Sequence, residues 1–376
     1  MNTPTSAPGS NSGQRGESQV VTVPFTRASA ESREQGNTDK SLLMTASQQA
    51  LGTFDIPANG YFDGLVIKVT ATGSSDTAND AAGTEDAPWN VLQNITVQEP
   101  NGSTIPYFNT GYGLMLAAKF GGYWFGNDPR QSPVFTAIDA EGNFQWICRI
   151  PIALNRREAL GALPNQDSDA TFKFKADLAA SATVYSNIPD IALPTVRVQT
   201  WLEAWEMPAA TAGNMRNVTE PPAMNTTQFW TEVPHDVNAG IDKIRLTRMG
   251  NYIRNFIFVL RRAGTSRANG QTDWPEQTTL WFDKRPRDIV DKDVWMHTQY
   301  ERYGYTGTAD TAGAPENGVF PYDFCHDFNG RVSWETRDGW LHTISSSRVE
   351  VEGNFTTAGV MTVMYNDIAV AGNVFL

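Results

Sequence analysis

The chain has 376 residues, enough for two domains with separate cores, and 40% of them are hydrophobic, as a folded protein requires. A formal net charge of -12, with no Lys/Arg-rich stripe against it, repels phosphate backbones and argues against direct sequence-specific nucleic-acid binding. Two cysteines, Cys148 and Cys325, are too few for a disulfide-built secreted scaffold and read as buried free thiols.

The N-terminus lacks the basic start and apolar run of a secretory leader, so no signal peptide is expected. No apolar stretch approaches the roughly 18 residues that cross a bilayer. Asn94, Asn101, Asn217, Asn225 and Asn354 open Asn-X-Ser/Thr triplets, which without a leader reflect a Thr- and Asn-rich composition.

Residues 1–46 read as a flexible arm, polar and Gly-containing at first. It carries two apolar patches, Val21, Val23 and Phe25, then Leu42, Leu43 and Met44. These six are the candidate assembly residues: either they dock on a neighbouring subunit or they pack on their own domain.

Residues 47–206 read as a first β-domain. A turn at Pro57, Asn59 and Gly60 releases a strand whose Leu65, Ile67 and Val69 face one way and whose Lys68 and Thr70 face the other. A polar loop over 73–88, a strand over 91–97 and a short Gly-weakened helix over 110–120 follow. Strands over 144–150, 170–178 and 196–205 close the domain. Residues 207–240, with Pro208, Pro221, Pro222 and Pro234, read as a linker.

Residues 241–376 repeat the order. Tyr252 opens a strand that aligns without gaps on the one opened by Tyr61, so that Leu65 falls on Phe256, Ile67 on Phe258 and Val69 on Leu260. A polar loop, a strand over 278–282, a helix capped by Asp291, a strand ending near Cys325 and an alternating strand over 348–355 follow. The last long strand covers 360–365. Strand, loop, strand, helix and three further strands thus occur twice, which predicts one β-sandwich domain duplicated.

That order resembles the double jelly-roll major capsid proteins of tectivirus-like, internal-membrane icosahedral viruses. The resemblance is carried by the paired strands at Tyr61 and Tyr252 with their polar loops, by the stretch 318–324 followed by 337–344 and the strand over 348–355, and by the ending over 359–368. It spans roughly residues 47–370. The resemblance implies an all-β fold of two tandem eight-stranded viral jelly rolls with short helices in loops. It also implies a structural, non-enzymatic subunit of a virion, made in the host cytoplasm, that forms a pseudo-hexagonal homotrimer and tiles an icosahedral bacteriophage shell. The implied partners are other copies of the chain, penton and minor capsid proteins at the vertices, and an internal viral membrane reached by the arm. No cofactor, metal or catalytic residue is expected.

Cys325, His326 and Asp327 hold the residue types of a thiol protease, but strand neighbours point to opposite faces. Asp288, Asp291 and Asp293 lack the Gly and terminal Glu of a calcium loop. His235, His297, His326 and His342 have no metal-binding spacing. Glu203 and Glu206 beside Trp201 and Trp205 support the alternative, a tandem β-sandwich carbohydrate-binding or glycoside-hydrolase protein.

Overall fold

The strand released by the Gly60 turn lies in the interior of a sheet and shows how each half is built. In the computed structural model, which describes residues 21–23, 25–121, 134–154, 159–208, 211–212, 215–219, 226–262, 266–270, 272–303, 314–324 and 339–370, this strand is Tyr61–Thr72. Leu65, Ile67 and Val69 are buried, while Val66, Lys68 and Thr70 are half-buried on the other face. Gly60 takes a φ of +46°, and a Cβ there would stand 2.0 Å from the carbonyl oxygen of Trp205. Only glycine fits that turn.

The longer strands of the first half are β1 (Glu31–Leu43), β2 (Gln49–Asp55), β3 (Tyr61–Thr72), β4 (Leu92–Gln98), β5 (Thr104–Thr110), β6 (Phe144–Pro151), β7 (Lys173–Leu178) and β8 (Thr195–Trp205). Those of the second half are β9 (Thr226–Val237), β10 (Gly240–Leu246), β11 (Tyr252–Arg262), β12 (Gln277–Phe282), β13 (Arg285–Asp291), β14 (Val319–Asp323), β15 (Val349–Phe355) and β16 (Gly359–Val370). Helix α1 (Gly111–Phe120) follows β5, and helix α2 (Lys292–Tyr303) follows β13.

The strand order is the same in both halves. One sheet of the first half runs β1-β8-β3-β6, and the other runs β2-β7-β4-β5. The second half gives β9-β16-β11-β14 and β10-β15-β12-β13. Each half is therefore a jelly roll of two packed sheets, and the chain is all-β with two of them in tandem. The strands opened by Tyr61 and Tyr252 are the same topological strand. Each lies between the last strand of its barrel and the strand after the helix, with Leu65 opposite Leu202 and Phe256 opposite Tyr365.

The two barrels are continuous. Trp230 of β9 pairs in parallel with Pro106 of β5, which joins a sheet from each barrel into a 9-stranded one. Strand β11 consequently has both faces covered. Phe256, Phe258 and Leu260 belong to the core of the second barrel, while Ile257 and Val259 belong to that of the first. A strand buried on both faces has no polar side, which explains its unbroken apolar run. The second core centres on Trp274, stacked on Phe320 at 4.0 Å and set edge-on against Trp295 of α2 at 5.6 Å.

Two expected boundaries shift. The arm expected over 1–46 includes β1, which pairs with β8 from Glu31 opposite Trp205 to Leu43 opposite Thr195. The linker expected over 207–240 includes β9, which pairs with β16 from Thr226 to Val237. Both strands are polar because much of their length is exposed or half-buried, so composition hides them. Pro234 sits in β9 without loss of a second ladder, since among the described residues β9 pairs on its other side only at Trp230.

Candidate functional site: the seam between the two barrels

The seam is built from β5, α1 and the 83–90 loop of the first barrel, and from β9, β11 and residues 314–317 of the second. The hydroxyl of Thr110 caps α1 by accepting from the Gly113 N–H at 3.4 Å. All residues of this helix are buried, although Lys119 is among them. Phe108 lies 6.2 Å from Trp230, ring centre to ring centre, and Phe120 meets Tyr303 edge-on at 5.1 Å.

Polar groups fix the relative position of the barrels. Lys119 pairs with Glu316, and both side chains are 2% exposed. Arg254 donates to the Gly121 carbonyl at 2.8 Å and to Asn366 at 3.1 Å. Arg261 binds Asp86 at 2.6 Å. Arg267 reaches the Glu85 carbonyl at 2.8 Å and the Ala314 carbonyl at 3.1 Å. Gln228 donates to the carbonyls of Ile152 and Ala153 at 3.0 and 3.1 Å. Buried charges are tolerated when ion-paired or hydrogen-bonded, and each of these has at least one such partner.

A cleft of about 780 Å³ opens at this seam, lined by Asp86, Asn109, Tyr112, Glu232 and Arg261 among others. Burial pushes the Glu232 carboxyl up to about 8, against the downward pull of the Asn109 hydrogen bonds and the Arg261 charge. Burial likewise raises the Tyr112 phenol.

The sequence-derived candidates are placed as follows. Val21 and Val23 lie in a short strand parallel to Met215–Thr219 of the same chain. Phe25 is 5% exposed and packs edge-on against Tyr61 at 5.0 Å and Trp205 at 5.9 Å. Met44 is buried in the first core, and Leu42 packs against it. Leu43, at 57%, is exposed. Of the two alternatives for these patches, packing on their own domain describes Phe25, in the short helix Phe25–Ala28, and Met44, directly after β1, while Leu42 is only partly buried.

Glu203 has Arg33 on one carboxylate oxygen and Arg149 at 2.6 Å on the other, and Arg149 also holds Asp63 at 2.7 Å. Trp205 is buried against Phe25. Asp291 accepts from the backbone of Asp293 at 2.9 Å and of Val294 at 3.4 Å, the role of a helix cap. Asp288 accepts from the Tyr322 hydroxyl at 2.8 Å. Cys148 is a buried free thiol, pushed up to about 12 by burial, while Cys325, His326 and Asp327 lie outside the described residues. Among the described residues no group of three His, Cys, Asp or Glu side chains forms a ligand set.

Sequence reasoning missed the seam. The unbroken run 256–260, apolar on both strand faces, was the signal that a second body covers β11.

No protein-family model matches the chain, and no curated protein does. Solved structures do. The major capsid protein of Sulfolobus turreted icosahedral virus superposes with a TM-score of 0.63 at 14% identity, covering 91% of this chain and 97% of that one. The capsid protein of the virus PBCV-1 gives 0.57 at 11%, covering 94% and 97%. The major capsid protein P2 of bacteriophage PM2 gives 0.52 at 10%, covering 92% and 99%. At such identities the likeness establishes the fold, and that fold is the double jelly roll.

Proposed function

We propose that the chain is a major capsid protein that self-assembles as a pseudo-hexagonal homotrimer and tiles an icosahedral shell. The observation that carries this reading is the seam. Two barrels of the same topology are locked side by side by buried ion pairs and shared core residues, so the chain is one rigid double tile. A threefold ring of such chains presents near-sixfold sides and fills a hexagonal lattice. The coverage of both chains in the structural matches supports the same reading, since neither barrel is extra.

The partners in this reading are neighbouring trimers, a vertex protein and minor capsid proteins. Residues 1–20 precede the described part, and they are assigned to contacts beyond the tile, with a neighbouring subunit or an internal membrane. Deleting them tests this, because the cut spares β1. Normal shells from the shortened chain would refute the assignment. The chemistry of the site supports a structural protein over a glycoside hydrolase: Glu203 spends both oxygens on arginines, which leaves neither for acid/base work.

Light scattering after size exclusion tests the oligomer. A stable species of three 41.4 kDa chains, unchanged on dilution, is expected. A monomer overturns the trimer.

A further inference from the structure

The cleft at the seam holds polar groups that the two barrels leave unused. Asn90, on the 83–90 loop, is 4% exposed and lines the cleft. Its amide nitrogen is spent on the Thr84 hydroxyl at 2.9 Å and the Thr183 carbonyl at 2.8 Å, while its Oδ1 accepts from no described residue. Glu232 enters the same cleft from β9, and its shielded Oε1 likewise accepts from no described residue. Two buried acceptors in one cleft, one from each barrel, call for a donor that neither barrel supplies.

The walls select the chemistry of that donor. An anion finds no free guanidinium, since Arg261 is bound to Asp86 at 2.6 Å, and Arg267 to Asp86 at 3.1 Å and to the Glu85 carbonyl at 2.8 Å. A sugar finds no ring to stack on. Tyr112 is the one aromatic residue among the described lining, is 2% exposed, and has both guanidiniums over its ring at 5.8 and 5.1 Å. A cation suits the site. Glu85, Asp86 and an ionised Glu232 outnumber Arg261 and Arg267 by one charge. Leu116, Val259 and Met364 add an apolar stretch of wall for methylene groups, and about 780 Å³ is the size of a small-molecule site.

We infer that the cleft binds a primary alkylammonium group, held by the Glu232 carboxylate and Asn90 Oδ1, with its carbon chain along the apolar wall. This site goes beyond the shell-building role and has the same stoichiometry per chain in a monomer or a trimer.

Binding is tied to a proton. Burial holds the Glu232 carboxyl up at about 8, so the free site is protonated at neutral pH. The titratable and charged groups around it are Tyr107 of β5, Arg261 of β11 and Asp86 of the loop, with Tyr112 of α1 beside the two last. Arg261 and the Asn109 hydrogen bonds favour the ionised form, and Asp86 the neutral one. An ammonium ion adds to the first side, and the Glu232 proton leaves to solvent as the ligand enters. Affinity should therefore rise by about tenfold per pH unit up to about 8 and level off above it.

Isothermal titration calorimetry of the full-length wild type tests this, in buffers of different ionisation enthalpy. The probes are 1,4-diaminobutane, Nα-acetyl-lysine methylamide and the uncharged 1,4-butanediol. One diamine per chain is expected to bind at neutral pH with release of roughly one proton, and the diol is expected not to bind. The lysine mimic identifies the source of the ammonium group. Weaker binding than the diamine assigns a free amine, equal or tighter binding assigns a lysine of a partner protein, and both results support the site. Glu232→Gln, which keeps the shape of the side chain, should lower diamine affinity by at least about tenfold and abolish the proton release. Diol binding as tight as the diamine, diamine binding unchanged by Glu232→Gln, or no binding of either amine at millimolar concentration overturns the inference. Should the variant fail to fold, the wild type decides: diamine binding that releases no proton at neutral pH overturns it.

Discussion

Glu232 makes the seam sensitive to pH, and Glu232→Gln measures by how much. Glu232 is half-buried in β9, with its carboxylate Oε1 shielded from solvent, beside Arg261, Asp86 and Asn109 and close to the Gly113 backbone. It titrates at about 8 in the fold against 4.5 for the free group. Below the lower value the group is neutral in both states and costs nothing. As pH rises from there to about 8, the unfolded chain releases the proton while the folded chain keeps it, so stability falls steadily. Above the folded value the loss is complete. At about 1.36 kcal/mol per decade the full difference is on the order of 5 kcal/mol, and partial exposure lowers it to roughly 2–4. The glutamine stays neutral throughout, so its stability relative to wild type should climb across this window and level off beyond it. Urea unfolding of both proteins at one fixed protomer concentration, in buffers from about pH 5 to pH 9, reads the difference directly. A gap between the two proteins that stays flat across the window would refute the reasoning. It would mean that water reaches the carboxylate and keeps its titration ordinary.

Other substitutions probe the frame around the seam. Lys119→Met leaves Glu316 buried without its cation and should cost about 3–5 kcal/mol, whereas Lys119→Met/Glu316→Leu should recover most of it; equal losses in a denaturation series would contradict the pairing. Gly60→Ala meets the Trp205 carbonyl at a left-handed φ and should lower stability by about 1–3 kcal/mol, read as a drop in the thermal midpoint. In a Cys325→Ser background, Cys148 should react with a thiol reagent only as fast as the protein unfolds, since its thiol is buried and held protonated at neutral pH; rapid labelling of the native protein would show the first core to be open.

The repeat was legible because β3 and β11 carry the same apolar register after the same kind of turn. The helices were legible too: Asp291 does cap α2, and α1 forms within the expected stretch 110–120. What escaped was set by edges and faces rather than by composition. β1 buries only Thr38 fully and otherwise reads as a polar arm. β9 contains Pro234 and follows a Pro-rich stretch, so it reads as linker, yet it is the strand through which the two sheets merge. β13 alternates charge with Ile289 and gives no buried face to detect. The candidate assembly residues stayed open between two alternatives because an apolar patch on a short segment looks alike whether it closes its own barrel or meets another. Phe25 and Met44 do the former.

The seam is more polar than stability alone requires. Lys119, Glu316, Arg254, Arg267 and Gln228 are buried there, and a wholly apolar contact would avoid the cost of desolvating them. Apolar surfaces, however, slide over one another at little cost, whereas a guanidinium reaching a single carbonyl does not. Arg254 on Gly121 and Arg267 on Glu85 tie the two barrels at opposite ends of α1, so a rotation about either point breaks the other. In the proposed ring of such chains, an error of a few degrees would accumulate at every barrel. Directional, buried hydrogen bonds suit that demand better than extra apolar area, and they also explain why the helix holding Lys119 is covered on every side.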